Sequence, residues 1–174
     1  NPQGVRVASF KKPTELERQH DFLWRIHQQT PAAGMIAVFN RSHYEDVLVA
    51  RVDELVPEST WRKRFGQINE FEAQLSAAGT TILKFFLHIS PEEQAERMRD
   101  RLRRPEKHWK FSRGDLEKRK QWYDYQQAFQ DVLEQCTTDI AAWHVIPADR
   151  KWYRNTVIAR TIVETLATID PQYP

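Results

Sequence analysis

Short apolar runs alternate with longer amphipathic stretches along the chain. The apolar runs have the length of strands and lie at residues 5–10, 35–39, 81–88 and 142–146. The first run alternates apolar and polar positions, which is the two-residue period of a strand, and the second is compact and apolar throughout. Each of the four runs therefore predicts one β-strand.

Helix start signals follow these runs. Thr14 and Ser42 each stand three residues before a Glu, which is the spacing of a capping box, and Ser90 precedes a Pro and two Glu residues. Ser112 and Asp149 are further candidate caps, and Gly79 is placed as the C′ residue that ends the helix before it. The predicted helices cover residues 14–28, a segment from 42 onward, and residues 57–78, 90–104, 112–135 and 149–169. Strands joined through such helices need crossovers, so we expect an α/β fold with a mostly parallel sheet flanked by helices in three layers.

Composition limits the classes of protein to which the chain can belong. The 174 residues are 40% hydrophobic and 29% charged, with a net charge of +2, which predicts one folded domain over residues 1–174. The apolar run at 82–89 is far too short to span a membrane. Because Cys136 is the single cysteine, no internal disulfide can form, and we expect a core role for it and a cytoplasmic protein.

Although the net charge of the chain is near zero, residues 97–120 form a cationic segment with eleven Lys or Arg and four Asp or Glu. One interpretation is a solvated helix face, and the other is a polyanion site on a loop that closes over phosphate. Trp109 and Phe111 in this segment can either stack on a base or anchor the loop in the core. A single-stranded nucleic-acid site is disfavoured because the rest of the chain is acidic, so we expect no nucleic-acid partner.

A second locus lies where the predicted strand at 35–39 meets the next helix. Ligands of parallel sheets bind at the carboxyl ends of strands, and helix N-termini favour anions, so Arg41 is placed to hold a phosphate. Glu45 and Asp46 in the first helical turn either offset the helix dipole or hold Mg²⁺. The six histidines show no zinc-site spacing, and no G-x-S-x-G motif of a serine hydrolase is present.

Several longer motifs, taken in order, resemble the family 2 polyphosphate kinases. They are Asn1–Gly4 with Phe10 and Lys11, HDFLWR at 20–25, FNRSHYEDVLV at 39–49, KHWKFS at 107–112 and WHVIPAD at 143–149. The resemblance runs over nearly the whole chain. It implies a P-loop kinase-like fold with a helical lid at about 97–120, and Mg²⁺-dependent phosphoryl transfer between inorganic polyphosphate and a nucleoside mono- or diphosphate, in either direction.

The resemblance also implies roles for individual residues. Arg41, Lys107 and Lys110 are the expected catalytic cations, and Asp21 and Arg25 are expected near the nucleotide. The expected polyphosphate ligands are Arg41, Arg101, Arg104, Lys107, Lys110 and Arg113, and the expected metal ligands are Asp46, Glu45 and Asn40. Many relatives carry Asp at the position of Asn40, which is why Glu45 and Asp46 are preferred for Mg²⁺. A homo-oligomer is expected as well.

The family's Walker A loop, G-x-x-x-x-G-K, has no counterpart among the five glycines of the chain. We expect this loop upstream of Asn1, so that the domain over residues 1–174 is incomplete at its N-terminus. The alternative is a non-catalytic domain that binds polyphosphate or nucleotide without turnover.

Overall fold

The computed structural model describes residues 2–172, apart from the side chains of Pro2 and Arg113. It confirms an α/β fold with parallel strands. The described strands are β1 (Val5–Ser9), β2 (Ile36–Asn40), β3 (Lys84–His88) and β4 (Trp143–Pro147). The described helices are α1 (Glu15–Arg18), α2 (Trp24–His27), α3 (Glu45–Val52), α4 (Glu58–Ala77), α5 (Pro91–Arg103), α6 (Arg113–Lys120), α7 (Trp122–Cys136) and α8 (Lys151–Ile169), with short 3₁₀ helices at Pro2–Gly4 and Pro105–Lys110.

The described residues form two compact units, each with one parallel strand pair. The first unit comprises residues 2–82 and 123–141, and the second comprises 83–122 and 142–172. The expectation of a single domain over residues 1–174 stays a prediction. No helix of the described segment is long and apolar enough to cross a membrane.

In the first unit, β1 and β2 pair in parallel from Val5 opposite Ile36 to Ser9 opposite Asn40. The chain between them crosses over through α1 and α2, as the strand–helix order predicts. Ile26 of α2 packs with Phe10 and Phe71 in a buried apolar cluster. Helices α3 and α4 contact each other and bury further apolar side chains, including Val47 and Ile68. Burial of this apolar surface is the main stabilising contribution to the unit.

In the second unit, β3 and β4 pair in parallel from Lys84 opposite Trp143 to His88 opposite Pro147. Ser90 caps α5, as predicted, by accepting a hydrogen bond from the Glu93 N–H at 3.1 Å. The prediction that Asp149 caps α8 is wrong: Arg150 is the N-cap, and the Asp149 carboxylate accepts from the Ser90 N–H at 2.8 Å. This hydrogen bond holds the pKa of Asp149 below its usual range.

A cavity of about 320 Å³ lies at the carboxyl ends of β3 and β4. Its lining includes His88, Arg150 and Tyr153. Arg97 of α5 donates a hydrogen bond to the Ala148 carbonyl at 2.6 Å beside it, so this cation of the 97–120 segment supports the loop after β4.

Two predicted helices are interrupted. The helix expected over 14–28 splits into α1 and α2, because the Asp21 carboxylate accepts from the Leu23 N–H at 2.9 Å and replaces a helical hydrogen bond with a turn. The capping box at Thr14 is present as predicted. The helix expected over 112–135 also breaks, at Gln121 between α6 and α7.

Helix α4 ends as its sequence predicts. Gly79 has φ +93°, and its N–H donates to the Ser76 carbonyl at 2.9 Å, while the Thr80 N–H donates to the Leu75 carbonyl at 3.0 Å. This pair of hydrogen bonds is a Schellman motif, which needs a left-handed residue after the helix. Gly66, in contrast, lies inside α4 on an exposed face with nothing within 4 Å of an added Cβ.

The same substitution is therefore expected to have opposite effects at the two glycines. Gly79→Ala should lower the free energy of unfolding by about 1 kcal/mol, because a Cβ disfavours the left-handed conformation. Gly66→Ala should raise it by roughly 0.5–1 kcal/mol, because alanine is the better helix former. Urea unfolding of both variants measures this. Two shifts of the same sign would contradict the described end of α4.

Candidate functional site

The first site region is the turn that joins β2 to α3, here called the strand-end turn (residues 41–44). Arg41 begins it with φ 60°, a left-handed conformation that is uncommon for a residue with a side chain. The Arg41 side chain is 64% exposed, and its Nη1 lies 3.9 Å from a carboxylate oxygen of Glu45. The structure thus presents an exposed guanidinium directly after the carboxyl end of a parallel strand.

The predicted helix after this strand is present, but its predicted cap is wrong. Helix α3 begins at Glu45 with Tyr44 as its N-cap, and Tyr44 makes no side-chain capping hydrogen bond. The Ser42 hydroxyl instead accepts from the Tyr44 N–H at 3.4 Å, two residues on. The first turn of α3 therefore takes its position from contacts other than a capping box.

Asp46 lies between two arginines in the first turn of α3. Its carboxylate oxygens are 3.6 Å from Arg25 Nη2 and 3.5 Å from Arg64 Nη1, and its side chain is 18% exposed. Arg64 also donates to the Asp46 carbonyl at 2.7 Å. Burial raises the pKa of Asp46, and the two guanidinium charges oppose that rise. Sequence reasoning did not identify Arg64, because nothing in its local pattern distinguishes it from other helix-surface arginines.

Arg25 is largely buried, at 7% exposure, and its guanidinium already has protein partners. Besides Asp46, it donates to the Lys11 carbonyl at 2.8 Å and lies 5.5 Å from the centre of the Phe10 ring. Asp21 is exposed at the break between α1 and α2. The structure therefore places Arg25 inside the unit and Asp21 at its surface, and their expected nucleotide contacts stay predictions.

The oxygen donors of the strand-end turn fit a magnesium ion unequally. Glu45 is 29% exposed with one long ion pair, and burial raises its pKa. Asn40 is exposed at the end of β2. Mg²⁺ in phosphate-transfer sites is held by one or two carboxylates together with phosphate and water. Glu45 fits that description as a partly exposed carboxylate, and Asn40 can add a neutral amide oxygen. The carboxylate of Asp46 is compensated by two guanidinium groups. No cluster of three or more His, Cys, Asp or Glu suited to a metal occurs in the described residues.

Behind the strand-end turn lies a buried polar cluster that sequence reasoning did not find. Glu72 of α4 is 1% exposed, and its carboxylate accepts from the Tyr44 hydroxyl at 2.8 Å. His43 Nε2 lies 3.2 Å from the same oxygen. Burial and the charge of Glu72 raise the pKa of Tyr44 well above its usual range.

The second site region is the cationic segment of the second unit, formed by the end of α5, the 3₁₀ helix Pro105–Lys110 and α6. Three of its predicted polyphosphate ligands pair with acids of the same segment. Lys107 is hydrogen-bonded to Asp100, which lowers the pKa of that carboxyl. Arg101 contacts Asp115 at 3.0 Å, and Arg104 contacts Glu106 at 2.8 Å. The side chain of Arg113 lies outside the described residues.

Lys110 differs from these paired cations. Its ammonium lies 4.8 Å from the centre of the Trp109 ring, and no ion pair of Lys110 is found among the described residues. Trp109 is 78% exposed, so the interpretation that it anchors the segment in the core is wrong for this residue. Lys110 and Trp109 together present a cation and an aromatic face to solvent.

The family model of polyphosphate kinase 2 matches residues 1–174. The chain is 55% identical to the AMP/ADP-polyphosphate phosphotransferase of Meiothermus ruber over 174 residues, which cover 100% of this chain and 65% of that relative. It is 44% identical over 186 residues to the ADP-polyphosphate phosphotransferase of Rhodopseudomonas palustris, covering 100% of this chain and 64% of that protein.

A solved structure agrees with this assignment. The crystal structure of polyphosphate kinase 2 from Arthrobacter aurescens TC1 superimposes with a TM-score of 0.97 at 46% identity, and covers 100% of this chain and 62% of that one. The chain spans slightly less than two thirds of the length of these relatives. With a family match over its whole length and this structural likeness, the chain belongs to the polyphosphate kinase 2 family.

Proposed function

We propose that the protein transfers phosphoryl groups between inorganic polyphosphate and a nucleoside mono- or diphosphate, with Mg²⁺ as cofactor. The observation that carries the proposal is the exposed Arg41 guanidinium, placed beside Glu45 at the carboxyl end of β2. Two relatives are named AMP/ADP-polyphosphate phosphotransferase and ADP-polyphosphate phosphotransferase, which supports an enzyme over a binding-only domain.

The proposed reaction needs little covalent participation by the protein. Phosphoryl transfer needs in-line positioning and positive charge around the oxygens of the transferred group. Arg41 supplies such a charge, with its exposed guanidinium beside the start of α3. We assign this turn to the phosphates at the reacting centre.

Mg²⁺ would be held by Glu45 and Asn40, and when bound it would neutralise charge on the phosphate oxygens. Asp46, by our proposal, acts mainly by fixing Arg25 and Arg64, both of which contact it. Asp21 and Arg25 are assigned to the neighbourhood of the nucleotide, with Asp21 as the exposed member of the pair.

The cationic segment is proposed to bind the polyphosphate chain and to exclude water from the reaction as a lid. A linear polyanion suits a row of cations better than one deep pocket. Three of the assigned cations already hold carboxylates, so polyphosphate would replace Asp100, Asp115 and Glu106 as their partner. Lys107 and Lys110 are the cations assigned to the transferred group. The expected homo-oligomer and cytoplasmic location stay predictions.

The central test is a phosphotransfer assay on the protein expressed from its natural coding sequence. With polyphosphate and MgCl₂, we expect conversion of ADP to ATP or of AMP to ADP. Arg41→Ala should lower kcat by roughly 100-fold, because its charge matters most in the transition state. Arg62→Ala, which removes an exposed arginine paired with Glu58 on α4, is the matched control and should leave kcat unchanged. Equal turnover of the Arg41 variant and wild type would refute the role of Arg41.

The metal assignment is tested by comparing two neighbouring carboxylates. Glu45→Gln should raise the Mg²⁺ concentration needed for half-maximal activity, because it removes a charged oxygen ligand. Asp46→Asn should instead lower the free energy of unfolding by roughly 1–3 kcal/mol, because two guanidinium groups lose their charged partner. Magnesium titrations and denaturant unfolding separate the two effects. A larger shift in magnesium requirement for Asp46→Asn than for Glu45→Gln would return the metal contact to Asp46.

The cationic segment is tested by comparing a paired lysine with an unpaired one. Lys110→Ala should raise the KM for polyphosphate by about fivefold, and Lys107→Ala by less, because polyphosphate must first displace Asp100 from Lys107. Added salt should shrink both differences. Lys63→Ala, an exposed lysine of α4, is the control. If polyphosphate kinetics are unaltered in both variants, the segment is only a solvated charged surface.

A further inference from the structure

We propose that Glu72 is a positioning residue for the strand-end turn: its buried carboxylate holds Tyr44 and His43 and thereby fixes Arg41 and Glu45 on either side of them. This inference rests on the proposed function, since it concerns how the assigned phosphate and metal residues are kept in place. Glu72 itself is expected to touch neither substrate.

Burial of the Glu72 carboxylate carries a cost in free energy. Glu72 lies on the inward face of α4, beside the buried side chains of Ile68 and Phe71, and is 1% exposed. A carboxylate removed from water is unfavourable unless hydrogen bonds compensate it, and an apolar side chain would pack this face without that cost. Glu70, two residues earlier, is an exposed acid of the same helix. Packing alone therefore does not account for an acid at position 72.

Two hydrogen-bond partners of Glu72 lie in the strand-end turn. Tyr44 and His43 are consecutive residues of the strand-end turn, and both are buried, at 3% and 7% exposure. The Tyr44 hydroxyl donates to Glu72, and the tautomer of His43 with a proton on Nε2 donates to the same oxygen. The His43 ring also packs edge-to-face on Phe71, with 5.5 Å between ring centres. One side chain of α4 thus holds two adjacent residues of the turn.

The backbone of the turn is closed by hydrogen bonds from the Glu45 N–H to the Ser42 carbonyl and from the Asp46 N–H to the His43 carbonyl, each at 3.1 Å, but these bonds do not position the side chains. Arg41 occupies a left-handed conformation, which costs free energy unless the surrounding structure imposes it. Tyr44, as N-cap, makes no side-chain capping bond, and the hydrogen bond from the Tyr44 N–H to Ser42 is long at 3.4 Å. The hydrogen bonds to Glu72 therefore add the restraint from α4 that fixes the side chains between Arg41 and Glu45.

Misplacement of catalytic groups by about 1 Å is enough to reduce turnover strongly. If Glu72 is replaced by an apolar residue of similar size, the turn loses its buried acceptor and Arg41 loses its fixed position. The effect should appear in kcat more than in the KM for polyphosphate, since the cationic segment is not altered.

The experiment compares Glu72→Leu, Glu72→Gln and the control Glu70→Leu in the protein expressed from its natural coding sequence. Glu72→Leu should lower kcat by about 10- to 100-fold with little change in KM. Glu72→Gln keeps a carbonyl acceptor for Tyr44 and should restore much of the rate. Glu70→Leu should match wild type. If Glu72→Leu does not fold, Tyr44→Phe removes one of the two hydrogen bonds and should lower kcat in the same direction.

A combined variant distinguishes positioning from general destabilisation. If Glu72 acts by positioning Arg41 and Glu45, adding Glu72→Leu to the double variant Arg41→Ala/Glu45→Gln should cost little further kcat. Multiplicative losses, or wild-type kcat in Glu72→Leu, would overturn the inference.

Hydrogen exchange of the backbone amides gives a readout that does not depend on activity. In Glu72→Leu, amides of residues 41–46 should exchange about tenfold faster or more, while those of α5 and α6 should not change. An inactive wild type would refute the proposed function alone, and unchanged exchange at residues 41–46 would refute the role of Glu72.

Discussion

The parallel register of β1 and β2 is the constraint on which the first site region depends. Ser9 lies opposite Asn40, and the Phe10 N–H donates to the Asn40 carbonyl at 3.2 Å, so both strands end at the same edge. That pairing brings the Lys11 carbonyl to Arg25, and Arg25 in turn contacts Asp46 at the start of α3. A shift in register would move the chain segment that supports Arg25 away from the helix that carries Asp46.

The two site regions differ in how far their ion pairs are buried. In the first unit, Asp46, Arg25 and Arg64 are largely withdrawn from water, and their mutual contacts are an integral part of the packing. Breaking such a group leaves a buried charge without a partner, which is costly. In the second unit, the side chains that pair with Lys107, Arg101 and Arg104, and these cations themselves, are partly exposed. Pairs of this kind exchange partners at small cost, which suits residues that must bind and release a polyanion.

Local sequence signals predicted the strands, the crossover order and several helix ends, because these depend on period, capping and glycine. Thr14, Ser90 and Gly79 act as their motifs predict. The failures arise where a side chain bonds across the fold or across a turn. The Asp149 carboxylate accepts from the Ser90 N–H rather than capping α8, and the Asp21 carboxylate closes a turn between α1 and α2. Motif resemblance indicated the candidate site residues. The burial of Glu72 could not be predicted, because a single acid in an amphipathic helix is ordinarily exposed.

The backbone of Arg41 sets two requirements at one position. Its φ of 60° favours glycine or asparagine, whereas the proposed chemistry requires a long cationic side chain. No natural amino acid satisfies both, so the position is a local stability–activity trade-off. Selection for thermal stability alone would drive residue 41 toward glycine and would remove the cation at the strand end. Engineered or thermophilic relatives that keep arginine there must therefore obtain their added stability at other positions.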